Sequence, residues 1–380
     1  MSEQKKKTAD ISWETLLRKL KTGAGQLAMP LVALGVLLVF NLIRDPSFFS
    51  ISIATDEAGS VLTGNLISVI SSASELAILA MGMTLVTASC GGQDISVGAV
   101  GAIAGAFFVI MLHPQKETIT TLTEINGLNV ALGVLVAIVV AIIFKLFNGM
   151  LVAVFKIQPM IATLILFSCG RSIAYFFLFQ VLGGGTVKLE SPIIHAIGKQ
   201  IPGVPIDTAI FVVILMGLLL WLIFKKTNLS LYTQSVGINQ KAARLNGINP
   251  TVVKLLSFVL LGVCVAVASV VRTCRLGTMG TKSILDSIEM DAILAVAIGG
   301  NSLGGGKFRL GGSVLGAYII QMLTTTLNAM QVSPDSMKAY KAIVILVIMV
   351  AGSPIIKTWI MTLKNRRNAA AGAARLKEVG

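Results

Sequence analysis

Long apolar runs, separated by short polar connections, follow one another through most of the chain. The runs are roughly 17 to 25 residues long, which is the length that an α-helix needs to cross the hydrocarbon core of a membrane. The pattern predicts an all-α, polytopic membrane protein with about ten transmembrane helices. The predicted spans cover residues 27–43, 65–89, 96–112, 128–147, 158–180, 207–224, 252–272, 284–300, 311–330 and 339–360.

The basic residues indicate how these spans are oriented. Ten spans place both termini on one side, and most of the 31 lysines and arginines fall in the termini and in connections on that same side. Because basic connections stay in the cytoplasm, we expect both termini inside. Lys145 and Lys156 are assigned to one cytoplasmic connection, while Arg272, Arg275 and Lys282 form a local exception on the outer side.

This arrangement divides the chain into three parts. We expect a basic amphipathic N-terminus over residues 1–26 that lies on the anionic inner leaflet, a transmembrane permease domain over 27–360, and a basic cytoplasmic tail over 361–380. A disordered tail that only orients the first span is the alternative for residues 1–26. Membrane topology explains the net charge of +14 better than nucleic-acid binding does, because no basic face carries interleaved aromatic residues.

Two glycine-rich breaks resemble each other across the middle of the chain. They cover residues 91–96 and 299–306, and each leads into a helix with a small-xxx-small pattern, which permits close helix contact in lipid. An internal repeat with broken helices is typical of transporters and predicts pseudo-repeated halves. Tight loops with glycines that serve only close contact are the alternative.

A polar, basic loop over residues 225–254 separates the two apolar halves. Its small residues are spaced so that a short helix from about Asn239 to Leu245 would lie close against another protein. We expect a docking element here; an ordinary cytoplasmic loop that only fixes topology is the alternative. The predicted docking residues are Ser235, Gly237, Asn239, Ala242, Ala243, Arg244 and Gly247.

Polar side chains within or beside the spans are the candidates for a translocation pathway. A charge at the centre of a membrane helix costs about 2.5 to 3.5 kcal/mol on insertion scales, so such groups pair, line water or act. Asp94, beside two glycines at a break, is the predicted gate, and Glu75, Arg171, Glu289 and Asp291 are further ionisable groups in or near spans. The predicted pathway and gate residues are Gln93, Asp94, Ser96, Asn148, Gln158, Thr163 and Asn301.

No motif indicates chemistry of the chain's own. The Gly306–Lys307 pair fails as a phosphate-binding loop, because a Walker A motif requires glycine where Asn301 stands and serine or threonine where Phe308 stands. The four cysteines have no metal-site spacing. We therefore expect no cofactor, no metal site and no enzymatic activity, and any ATP hydrolysis must come from a partner subunit.

Several motifs that occur in order resemble those of the permease subunits of ribose-type sugar ABC importers, and most closely the galactofuranose permeases. The resemblance runs from about residue 27 to 360. The longer N-terminus, Gln93 and the basic segment from Arg272 to Lys282 depart from the family pattern. The motifs are Gly91–Ala99, Asn148–Gly149, Lys156–Pro159 with Ala162–Leu164, Gly170–Arg171, Val236–Asn239 with Ala242, Ala243 and Gly247, and Glu289–Leu294 with Gly299–Gly300.

This resemblance implies a subunit of a bacterial plasma-membrane importer that moves a neutral monosaccharide, such as a pentose or a galactofuranose-like sugar. It implies an ABC ATPase that receives the central loop as a coupling helix, an extracytoplasmic sugar-binding protein and a second permease, identical or related. An ion-coupled secondary transporter that uses the intramembrane carboxylates is the alternative, and a membrane-embedded enzyme is a third hypothesis, weakened by the missing acid–base motifs.

Overall fold

A computed structural model describes residues 30–56, 59–113, 120–199 and 206–352. The expected amphipathic N-terminus and the expected basic tail both lie outside these residues. The chain divides into two compact units, residues 1–321 and residues 322–380. All the predicted site residues belong to the first unit.

Every predicted hydrophobic run contains a helix, and α-helices dominate the described residues. Short additional α-helices occur in two of the connections. The helices are α1 (Pro30–Arg44), α2 (Asn65–Cys90), α3 (Val97–Leu112), α4 (Gly127–Ala153), α5 (Pro159–Leu182), α6 (Pro192–Gly198), α7 (Thr208–Lys226), α8 (Leu229–Ile238), α9 (Gln240–Leu245), α10 (Pro250–Leu276), α11 (Ile288–Ile298), α12 (Leu310–Ala329) and α13 (Pro334–Gly352).

Six of these helices are long and apolar enough to cross a membrane, namely α2, α4, α5, α7, α10 and α12, and α1 and α3 are shorter apolar helices. The prediction of a continuous span over residues 284–300 is wrong. Residues 281–287 form turns, in which Leu285 and Ser287 have left-handed backbone angles, and α11 has only 11 residues. A helix of that length rises about 16 Å, roughly half of the hydrocarbon core.

Short strands in the connections depart from the all-α expectation. A hairpin pairs β1 (Ser52–Asp56) with β2 (Gly59–Thr63), and a three-stranded sheet pairs β4 (Thr186–Leu189) in parallel with β3 (Thr121–Leu122) and antiparallel with β5 (Thr278–Gly280). The sheet joins three connections that are far apart in the sequence, so it ties together the ends of the helices that they link.

Helix α2 lies at the centre of the first unit. Residues 73–89 are all buried, and α2 contacts α7, α8, α10 and α11. Its many small residues allow these close contacts: a Cβ added at Gly82 would lie 2.9 Å from the Leu261 side chain and 3.0 Å from Cys264 Cβ. By contrast, α4, α5 and α7 expose apolar side chains such as Leu135, Ile165 and Leu215, as expected of helix faces in contact with lipid.

Candidate functional site

The predicted gate residue Asp94 is part of a fully buried ion pair. Its Oδ2 lies 2.8 Å from Lys145 Nζ, and both side chains have 0% exposure. Its Oδ1 accepts hydrogen bonds from the Ser96 backbone N–H at 2.8 Å and from the Ser96 hydroxyl at 2.7 Å. The carboxylate is therefore balanced by one cation and two local donors, as a charge removed from water requires.

Ser96 and Asn148 complete this group, which we call the Asp94 cluster (Asp94, Ser96, Lys145 and Asn148). The Ser96 oxygen accepts from Lys145 Nζ and from Asn148 Nδ2, each at 2.9 Å. Asn148 Oδ1 is buried without a hydrogen-bond partner. Three predicted pathway residues thus meet in one buried cluster that joins the first glycine-rich break to α4.

The assignment of Lys145 to a cytoplasmic connection is wrong. Lys145 lies within α4, which continues to Ala153, and its side chain is completely buried. The charge count alone could not show this. A lysine near the end of an apolar run is assigned to the connection that follows unless an acidic partner is known, and the partner of Lys145 is 51 residues away in the sequence.

The second glycine-rich break is organised around Asn301. Its Oδ1 accepts from the Arg309 N–H at 2.7 Å, and its Nδ2 donates to Ser313 Oγ at 2.8 Å. Ser313 Oγ is in turn 2.6 Å from Thr84 Oγ1 of α2. Asn301 therefore holds the loop before α12 in place, and α2 is joined to the same network.

The remaining predicted pathway residues lie near the first break. Gln93 Nε2 donates to the carbonyl of Leu303 at 3.0 Å and so links the two glycine-rich breaks. Thr163 Oγ1 accepts from the Ile95 N–H at 3.2 Å. Gln158 is exposed and precedes Pro159 at the start of α5, with no side-chain cap bond. Of the predicted pathway residues, Gln158 alone is exposed, and the other six are buried.

The sequence did not indicate where the partner of Glu75 lies. Glu75 is buried within α2, and both of its oxygens are bonded by arginines near the end of α10. Arg275 Nε lies 2.7 Å from Oε1, and Arg272 Nη1 lies 2.9 Å from Oε2. Arg272 and Arg275, which departed from the charge rule, are therefore paired with a buried anion within the protein.

Arg171 holds the turns that precede α11. Its Nη1 donates to the carbonyls of Thr281, Lys282 and Ile284 at 3.0 to 3.1 Å, and its Nη2 donates to that of Leu285 at 3.2 Å. Backbone carbonyls in non-helical turns need such donors when they are removed from water. A lysine could not supply this fork of N–H groups.

The central loop forms two short helices, α8 and α9, of which the sequence indicated only the second. The predicted helix from Asn239 to Leu245 is confirmed: Asn239 Oδ1 caps α9 by accepting from the N–H groups of Lys241 and Ala242 at 3.0 and 3.1 Å. The missed helix α8 buries Leu229, Thr233 and Val236. Their i, i+4, i+7 spacing is the helical signal that was present in the sequence.

The predicted docking residues separate into outward and inward positions. Asn239, Ala242, Arg244 and Gly247 are exposed, and Ser235 is half-buried, with its hydroxyl donating to the Leu231 carbonyl at 2.9 Å. Ala243 is only 4% exposed and packs against Val236, Val253 and Ile248.

Gly237 also faces the chain itself, since a Cβ there would overlap the Ala88 carbonyl oxygen. The small size of Gly237 and Ala243 therefore serves contacts within the subunit. In contrast, Leu245 and Ile238 are 89% and 75% exposed, and they were not among the docking residues that the sequence predicted.

A cavity of about 650 Å³ lies elsewhere, between the end of α3, the start of α4 and the start of α6. Its polar lining residues include His113, Glu124, Asn126, Asn129 and Ser191. None of the predicted pathway residues lines it. The Asp94 cluster and this cavity are therefore separate features of the first unit.

Comparison with known proteins assigns the chain to a family. The family described as "Branched-chain amino acid transport system / permease component" matches residues 65–352. The chain is 35% identical over 323 residues to the galactofuranose transporter permease protein YtfT of Escherichia coli K12, a match that covers 85% of this chain and 88% of the relative.

Two further relatives carry the names of other sugars. The fructose import permease protein FruF of Bifidobacterium longum is 34% identical over 352 residues, which cover 90% of this chain and 92% of the relative. The ribose import permease protein RbsC of Escherichia coli K12 is 31% identical over 322 residues, which cover 83% and 90%. No solved structure matches the chain.

The match to the family extends over α2 to α13 and therefore includes both glycine-rich breaks, the Asp94 cluster and the central loop. The described residues include six helices long enough to cross a membrane, and together with the family match they make the chain a multi-pass protein of the bacterial inner membrane. It is a permease subunit, not itself an enzyme, and it belongs to the family of ABC importer permeases that includes those named for galactofuranose, fructose and ribose.

Proposed function

We propose that this permease moves a neutral monosaccharide, a pentose or a galactofuranose-like sugar, into the cell. The observation that carries the proposal is that relatives named for three different sugars each match at least 83% of the chain. Two groups of interior charges are consistent with it. Asp94 pairs with Lys145, and Glu75 pairs with Arg272 and Arg275, so these groups do not form a site for an ionic solute.

Transport in this proposal needs three partners. An ABC ATPase supplies the energy, an extracytoplasmic sugar-binding protein delivers the sugar, and a second permease, identical or related, completes the membrane portion. The turns over residues 281–287 and α11 together make one crossing in this proposal, so the domain from residue 27 to 360 crosses the membrane about ten times and both termini lie inside. Residues 225–254 then lie in the cytoplasm.

The ATPase docks on the outward face of the central loop. Ile238 and Leu245 offer apolar area, and Lys241 and Arg244 offer positive charge beside it. Exposed apolar residues on a polar loop that is not in lipid favour a protein partner. Residues 237 and 243, which face inward, support the shape of this surface without touching the partner.

The Asp94 segment forms the gate in this proposal. Its carboxylate joins the break after α2 to α4 through a buried pair, so opening at the break requires these contacts to rearrange. Because each 1.4 kcal/mol is tenfold in an equilibrium constant, a few such contacts suffice to hold one conformation. Gln93, Thr163 and Asn301 act beside it by holding the two breaks and the start of α5 together.

Reconstitution tests the proposal. The permease, its ATPase and its binding protein are placed in vesicles, and uptake of radiolabelled ribose, fructose, galactose and leucine is measured with and without ATP. We expect ATP-dependent uptake of a sugar and none of leucine. Leucine uptake would favour an amino-acid importer, and sugar uptake driven by an ion gradient without the ATPase would establish the secondary transporter.

A second measurement separates the role of the permease from that of the binding protein. A permease that receives its sugar from a high-affinity binding protein needs only weak contacts, because a tight site slows release. Calorimetric titration of the isolated permease with the transported sugar should show no site tighter than about 1 mM. A micromolar site on the isolated permease would contradict the proposal that the binding protein, and not the permease, binds the sugar tightly.

A further inference from the structure

The two glycine-rich breaks and the central loop meet at one point of the first unit. We call this point the glycine junction and define it by Ala88, Gly91, Gly237, Gly305 and Gly306. These five residues come from the end of α2, the first break, the end of α8 and the second break. No single stretch of sequence indicates that they lie together.

Gly237 brings α8 into direct contact with the backbone of the other two segments. A Cβ at this position would overlap the Ala88 carbonyl oxygen and would lie 2.6 Å from the Gly306 backbone nitrogen. The Gly306 N–H itself donates to the same Ala88 carbonyl at 3.0 Å. The end of α8 therefore packs directly against the backbone hydrogen bond that joins α2 to the second break.

The two glycine-rich breaks are also in close backbone contact with each other. A Cβ at Gly91 would lie 2.8 Å from the Gly304 carbonyl oxygen, and one at Gly305 would lie 2.9 Å from Gly91 Cα. Gly91 and Gly305 also have left-handed backbone angles, φ +64° and +91°, which favour glycine. The hydrogen bond from Gln93 to the Leu303 carbonyl adds a side-chain link between the same two loops.

Backbone-to-backbone contact has a mechanical consequence. A long side chain between two elements can change rotamer and absorb a displacement of one of them, whereas close-packed backbone cannot. A shift of α8 therefore moves the end of α2 and the second break together. Asp94 is only three residues beyond Gly91 along the chain, so the same shift reaches the Asp94 cluster.

We infer that the glycine junction is the contact that transmits movement of the central loop to the two glycine-rich breaks, with Gly237 and Gly306 as positioning residues. The inference rests on the proposed function, because it assumes that the ATPase moves the central loop. It adds which residues link that movement to the gate segment. It also explains why glycine occurs at position 237, within a helix, where glycine is otherwise unfavourable by about 1 kcal/mol.

The test uses the complete importer in vesicles and compares sugar uptake with ATP hydrolysis. Gly237→Ala and Gly306→Ala should each assemble with the ATPase and hydrolyse ATP. Each should lower the amount of radiolabelled sugar taken up per ATP by about tenfold, the effect of a shift of about 1.4 kcal/mol between two conformations. The sugar used is whichever of ribose, fructose and galactose the unmodified importer transports.

Two matched controls separate the contact from the substitution itself. Gly217→Ala also adds a methyl group within a helix, but its Cβ would meet Met81 Sδ at an ordinary contact distance of 3.8 Å. Gly277→Ala also places alanine in the left-handed region, at φ +60° compared with +78° for Gly306→Ala, but its Cβ would meet the Leu189 carbonyl oxygen at an ordinary contact distance of 3.5 Å. Both controls should keep the normal uptake per ATP.

A rescue experiment keeps the inference falsifiable if a single variant folds poorly. The Cβ added at Gly306 would lie 2.6 Å from Ile238 Cγ1, so Ile238→Ala removes that obstacle. The double variant is compared with Ile238→Ala alone, and Gly306→Ala is compared with the unmodified chain. The decrease in uptake per ATP should be much smaller in the first comparison than in the second.

Normal uptake per ATP in both glycine variants would overturn the inference. Loss of assembly in both variants, without rescue by Ile238→Ala, would show that the junction is structural only. An unmodified importer that took up no sugar with its ATPase would instead refute the proposed function itself, and that result is obtained before any variant is compared.

Discussion

Replacing Lys145 by methionine removes the cation bonded to a carboxylate that has no access to water. The Nζ–Oδ2 distance to Asp94 is 2.8 Å and both side chains are 0% exposed. Two unit charges at that separation attract each other by about 6 kcal/mol at an effective dielectric constant of about 20. Removing one partner of a buried pair typically costs about 3 to 5 kcal/mol, because the other charge is left buried and unpaired.

We therefore expect Lys145→Met and Asp94→Asn each to lower the free energy of unfolding by about 3 to 5 kcal/mol. The double variant leaves no charge of this pair unpaired, and the amide introduced at position 94 keeps an oxygen within reach of the Ser96 donors. Replacing both members of a buried pair by neutral groups is often close to neutral. The double variant should accordingly recover most of the stability that either single variant loses.

The measurement is equilibrium unfolding of the purified permease by a denaturing detergent. Lys241→Met is the matched control, because Lys241 is exposed on the central loop and should change stability by about 0.5 kcal/mol or less. Single variants as stable as this control, or a double variant whose loss equals the two single losses added together, would refute the reasoning.

The stable double variant then tests the gate. If Asp94 serves only to hold the fold, the double variant should take up sugar at the normal rate. If the charge pair controls opening at the first break, the double variant should assemble and hydrolyse ATP normally but take up sugar more slowly. Asp94→Asn alone could not separate these roles, since its instability would reduce uptake in either case.

Three further changes test other parts of the structure. Leu245→Asp should weaken ATPase binding at least about tenfold by removing apolar area from the interface, with normal thermal stability because Leu245 is 89% exposed; normal affinity would exclude it from the docking surface. Glu75→Gln should lower the free energy of unfolding by about 3 kcal/mol, since two arginines lose their anion, whereas unchanged detergent unfolding would contradict the pairing. Arg171→Lys should cost about 1.5 to 3 kcal/mol for each charged hydrogen bond lost. Combined with Ile284→Cys, at a residue that is only 1% exposed, it should make that cysteine react faster with a water-soluble thiol reagent than Ile284→Cys alone does. An unchanged rate would contradict the role of Arg171 in holding the turns before α11.

The amino-acid sequence by itself determined most of the helices and the protein class. Hydrophobic runs of spanning length specify membrane helices because every backbone group in lipid must be bonded within its own segment, which is a local requirement. All ten predicted runs contain helices, and the central helix near Asn239 was located from the spacing of small and polar residues. The motifs in sequence order were enough to indicate the sugar importer family that the comparisons confirm.

The tertiary structure alone decided which of the polar residues meet. Asp94 pairs with Lys145, which is 51 residues away in the sequence. Glu75 pairs with Arg272 and Arg275, which are 197 and 200 residues away. Charge patterning treats each of the basic residues here as a topology signal, because the rule counts lysines and arginines along the chain and contains no information on which helices become neighbours. Lys145 was misassigned for this reason.

The same limit applies to the small residues of the central loop. Their spacing showed that something must approach closely at Gly237 and Ala243, but spacing cannot show whether that neighbour is a partner protein or the chain itself. In the fold, Gly237 lies against Ala88 and Gly306, and Ala243 lies against Val236 and Val253. Segments that are distant in the sequence come into contact only when the helices pack together. Only the tertiary structure could therefore show which neighbour lies against Gly237 and Ala243.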